Sequence, residues 1–82
     1  MTDLGHYSEA RPLLEQALEI RKKALGNDHP DVAQGLHNLA LLLQKLGNAE
    51  EAARMGKQAL AIFEKALGAD HPNTQTVRRS WG

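Results

Sequence analysis

Four histidines, His6, His29, His37 and His71, are the residues of this chain best suited to metal or acid–base chemistry. His29 and His71 stand in two equivalent Asp-His-Pro segments, ahead of a proline that can open a helix, and read as caps of the helices that follow. His6 lies near the terminus. His37 has no Asp, Glu or His four residues away to complete a ligand pair on one helical face. For nucleophilic chemistry the hydroxyls are Ser8, Ser80, Thr2, Thr74 and Thr76, with no cysteine and no serine at a strand-to-helix elbow. Glu15 with Glu19, and Glu50 with Glu51, fall on helical faces expected to be solvated. No glycine-rich loop follows a strand, so no phosphate cradle is expected. These residues predict no catalytic site, no cofactor and no metal.

One basic-aromatic cluster remains, Arg78-Arg79 beside Trp81, a combination that engages single-stranded nucleic acid when it is repeated along a surface. Two arginines are too few. Ten basic residues balance ten acidic ones, so there is no net field to gather phosphates, and RNA binding is disfavoured. Trp81 is expected instead to pack back on the preceding helix or on a neighbouring chain. The first residues lack the basic start and apolar run of a leader, and no apolar stretch approaches membrane-spanning length. The absence of cysteine suits a reducing compartment, and the cytoplasm is the expected location.

The elements that must position these residues come from an internal repeat. Over Leu4 to Pro30 and Leu46 to Pro72, roughly 15 of about 27 aligned positions are identical at a shift of about 42 residues. The agreement is closest in Lys23-Ala24-Leu25-Gly26-x-Asp28-His29-Pro30, which returns as Lys65-Ala66-Leu67-Gly68-x-Asp70-His71-Pro72. Each Leu-Gly stops a helix, each Pro restarts one, and Gly47-Asn48 supplies the turn inside the period. The spacing predicts helices over about Ser8–Leu25, Pro30–Leu46 and Ala49–Leu67 and a stub from Pro72. The fold class is therefore all-α: antiparallel helix-turn-helix repeats with three main helices and a short C-terminal helical stub. As one domain it divides into 4–27, the second helix of a partial repeat, 30–68, a complete helix pair, and 72–82, the start of a further repeat.

Within the helices, Val32, Leu36, Leu39, Ala40, Leu43 and Leu46 form one apolar stripe, and Ala52, Met55, Ala59, Ile62, Phe63 and Ala66 another. Pro12 is expected in or just past the first turn of its helix, where a missing N–H is tolerated. Gly56, in mid-helix, costs about 1 kcal/mol of propensity relative to Ala and leaves a gap toward the next helix.

Leu36, Leu39, Ala40, Leu43, Gly47, Ala52 and Ala59 fall in the large, large, small, large, Gly, small and small positions of the tetratricopeptide repeat, which the chain resembles from Leu4 onward. The longer period and the Leu-Gly-x-Asp-His-Pro connector are similar to its kinesin-light-chain type. The small residues have a physical reason, since Ala40, Ala52 and Ala59 let two helix backbones approach closely. The resemblance implies a scaffold that binds a protein or peptide partner through a concave groove. A second face of helix 2, Gln34, His37, Asn38, Leu41, Gln44 and Lys45, inherits the ligand-facing role by this resemblance. The family's carboxylate-gripping set is not evident, because His37 and Leu41 stand where Lys and Asn are expected. Helix 1 presents Leu4, Tyr7, Leu14, Ala17 and Leu18 with no partner helix before it, which predicts self-association, as a homodimer or larger homo-oligomer. The competing reading is an oligomerisation element or repeat fragment with no ligand.

Overall fold

Ala- and Leu-rich stretches punctuated by Gly and Pro give four helices in chain order: α1 Leu4–Leu25, α2 Pro30–Lys45, α3 Ala49–Leu67 and α4 Pro72–Trp81. The computed structural model describes the backbone of residues 4–81 and the side chains of 9–81. Among these residues there is no strand. The sequence-predicted bounds of α2 and α3 agree to within a residue. The stub is a full helix of 10 residues.

α1 starts earlier than its apolar period suggests, at Leu4, so Pro12 sits well inside it. Pro12 has no N–H to offer the carbonyl of Ser8, and such an interior position costs about 3 kcal/mol or more in an isolated helix. Pro12 is exposed, and the helix continues through it.

α2 begins with Pro30 in its first turn and a capping bond from the Asp31 N–H to Nδ1 of His29 at 3.0 Å. α4 repeats the arrangement, the Asn73 N–H donating to Nδ1 of His71 at 3.1 Å. Both connector histidines are therefore caps. At the other ends, Gly47 has φ near 89°, with Gly26 and Gly68 alike, a backbone region that a side chain rarely enters. The turn after α2 is closed by Asn48 N–H to the Leu43 carbonyl at 2.8 Å.

α2 and α3 form the central antiparallel pair, with α1 packed against α2 and α4 against α3. Between the central pair Ala40, Ala52 and Ala59 are fully buried, the small residues that permit close approach. Around them lie Val32, Leu39, Leu43 and Phe63, each at most 1% exposed and each contributing roughly 1.5–3 kcal/mol by burial. α2 is buried around most of its circumference because its neighbours enclose it, adding Ala33, Gly35 and Leu42 to the expected stripe. Two polar links tie α3 to the first half of the chain. Nη2 of Arg11 reaches both oxygens of Glu51 at 2.9 and 3.2 Å. Lys65 Nζ meets Asp28 at 2.7 Å, and that hydrogen bond, with the charge behind it, raises the lysine pKa.

The self-association face requires correction. Leu18 is in the core and Leu14 packs on it, both against α2, while Ala17 is half-buried. A helix of this kind lies between two neighbours, and positions 14 and 18 face the one that follows. Leu13 and Ile20 point the other way, 67% and 62% exposed. Leu4 and Tyr7 have side chains outside the described residues.

Candidate functional site

Three of the six candidate groove residues, Asn38, Leu41 and Lys45, surround one feature. With Ala10 and Leu14 of α1 and Leu42 beneath, they line a shallow depression of about 310 Å³. α1 supplies Ala10 and Leu14 and α2 the other four residues, and the lining surface is almost wholly apolar. Leu41 is 38% exposed, unusual for a leucine flanked on its helix by two buried residues. Gln34 continues the row one turn earlier, where its Nε2 donates to Asn38 Oδ1 at 3.1 Å. That bond orients the Asn38 side chain. Gln34, Asn38, Leu41 and Lys45 thus make one exposed row at three- and four-residue spacing.

The other two residues fall outside it. Gln44 is exposed but does not line the depression. His37 is only 8% exposed, because the indole of Trp81 covers it. The two rings meet edge to face at 6.3 Å between centroids, and Trp81 Nε1–H donates to His37 Nδ1 at 3.0 Å. Burial lowers the His37 pKa below the ordinary value, favouring the neutral ring that this bond needs. His37 is a packing residue of the α2–α4 contact, not a member of the open row.

Sequence reasoning anticipated both Gly56 as a gap and Trp81 packing back, without joining them. They are one feature: the indole sits where a side chain at Gly56 would be, so that a Cβ there would overlap the ring at Cγ and Cδ2. The available signal was that Gly56 replaces Leu14 of the first copy while the chain's single tryptophan follows on the next helix.

Other depressions lie away from the row. One, of about 570 Å³, is wide open at the α2–α3 turn and is lined by Gly47 to Glu51 and Arg54. It is formed by that turn and the start of α3 alone, with no wall from a second helix. Among the described residues no three of His, Cys, Asp or Glu come together as metal ligands, and no helix is long and apolar enough to cross a membrane.

Paired antiparallel helices of fixed period, small residues between partners and one exposed row beside a neighbouring helix define an α-helical repeat scaffold. The tetratricopeptide-repeat family profile matches residues 2–65 and again 31–80, so the chain belongs to that family. Repeats of this family mediate protein–protein interaction. Among curated proteins, nephrocystin-3 of Xenopus laevis, of Mus musculus and of Homo sapiens is each 55% identical over 40 residues, 49% of this chain. The aligned stretch spans 3% of the length of each of these relatives.

Proposed function

We propose that the chain is a protein-interaction scaffold that holds a partner peptide along the exposed row of α2, with its kinesin-light-chain-like period setting the spacing of successive rows. One observation carries the reading: Asn38, Leu41 and Lys45 rim a depression with an apolar wall from α1. Asn38 and Gln34 can donate and accept to an extended peptide backbone, the depression takes an apolar side chain, and Lys45 suits an acidic one. A reducing compartment such as the cytoplasm fits a chain without cysteine.

The test is binding of peptides selected from a random library on the immobilised chain. N38A and L41A are expected to weaken capture while leaving helicity and melting unchanged. Equal loss from K23A and K57A, exposed residues away from the depression, would assign the wrong surface.

A second reading rests on the exposure of Leu13 and Ile20. Their repeat equivalents, Met55 and Ile62, are packed on the core beside α2. The outer face of α1 therefore suits a helix of the α2 kind, and a second copy of the chain is the proposed source, giving a homo-oligomer.

A further inference from the structure

Helix α4 is anchored at both ends on an imidazole nitrogen. At its start Nδ1 of His71 accepts the Asn73 N–H, and at its end Nδ1 of His37 accepts the Trp81 indole N–H. The bond to His37 requires the ring proton on Nε2, and a second proton on Nδ1 turns the acceptor into a donor facing another donor. Beyond these bonds, the helix is secured by Trp81 in the Gly56 recess and by a small buried face. Of its ten residues only Thr74 and Val77 are fully buried, and the Thr74 hydroxyl has no hydrogen-bond partner there. Arg78 pairs with Glu64 at 2.6 Å, but both side chains are more than 40% exposed.

We propose that α4 is an acid-releasable helix: protonation of His37 removes the acceptor that holds the Trp81 indole and frees the end of α4 from α2 and α3, uncovering the socket at Gly56.

The surroundings offer the imidazolium no compensation at His37. On α2 the residues three and four positions away are Gln34, Ala40, Ala33 and Leu41, all uncharged. On α4 the charged groups are Arg78 and Arg79; on α3 Lys57 stands beside Gly56, Glu64 is tied to Arg78, Glu51 to Arg11 and Lys65 to Asp28, with Glu50 and Arg54 in the first turns. On α1, Arg11 is paired with Glu51, and Arg21 approaches Gly35 and the Asp31 carbonyl. Around His71 stand Asp70, its chain neighbour, and Arg78, which donates to the Ala69 carbonyl. The sign at His37 follows from burial. Its docked pKa is lowered from the model-peptide value of 6.5, so the released state binds the proton more readily. Docking is therefore at full strength above about pH 6.5 and weakens as pH falls below it.

Trp81, the single tryptophan of the chain, reports on the helix directly. Its emission in the 82-residue chain should move to longer wavelength as pH is lowered from about 8 to about 5, with the released-to-docked ratio rising by up to about tenfold per pH unit for each proton bound. The α4 backbone resonances should move toward random-coil positions in the same range while those of α2 and α3 hold. H37Q keeps an acceptor for the indole but does not titrate there, so this variant should hold its emission constant. W81F removes the N–H and keeps a ring, and its melting temperature should depend less on pH than the wild type's. The proposal is overturned if the Trp81 emission stays that of the docked state while nuclear magnetic resonance shows His37 protonated. It is equally overturned if the transition survives unchanged in an H37Q variant that is fully helical at neutral pH.

Discussion

Gly56 and Trp81 show how two unfavourable residues become favourable together. Glycine in mid-helix weakens α3, and a bulky indole needs a recess, yet the missing Cβ is the recess. G56A is accordingly expected to destabilise the protein by about 1–3 kcal/mol through overpacking, more than the gain in helix propensity of about 1 kcal/mol. In a W81A background the same substitution should stabilise, a reversal that a double-mutant cycle by urea denaturation would read. Thr74 offers the opposite case. Its hydroxyl is buried without a partner, and such a group costs about 1–3 kcal/mol, so T74V should raise the melting temperature. A lower melting temperature in T74V would mean that the hydroxyl is satisfied in solution.

At the scale of elements, the central pair carries the stability. Phe63 is 1% exposed, and F63A is expected to cost about 3–5 kcal/mol by equilibrium unfolding, whereas R11A, which removes a half-exposed ion pair between α1 and α3, should cost no more than about 1 kcal/mol. The helices and their stops were readable in the sequence because each is marked locally, by Pro and His at its start or Gly at its end. The start of α1 was not, since Pro12 imitates a first-turn proline. The faces were half readable. A row on α2 follows from helical spacing alone, but spacing could not tell that Trp81, 44 residues beyond His37, would cover part of it. Likewise Leu14 and Leu18 are as apolar as Leu13 and Ile20, and only the position of α2 decides which pair packs on the core.

For the whole molecule, the outer face of α1 sets the expected state of association. Light scattering after size exclusion, over a range of concentrations, should give at least a dimer. L13E and I20E should shift the chain toward monomer without loss of helicity. L14E is expected to disturb the α1–α2 packing as well and is a poor probe of assembly. A wild-type chain that stays monomeric at micromolar concentration would remove the self-association reading and leave the peptide row of α2 untouched.

Near-identical repeats invite a folding error in which a helix docks one period out of phase, on the wrong copy of its partner. The two copies here differ where α4 docks, because the position that is Gly56 in α3 is Leu14 in α1. Shifted back by one period, α4 would drive the indole of Trp81 into a leucine instead of an empty site. One glycine and one tryptophan thus tell the two copies apart, since α1 lacks the recess that α3 offers the indole.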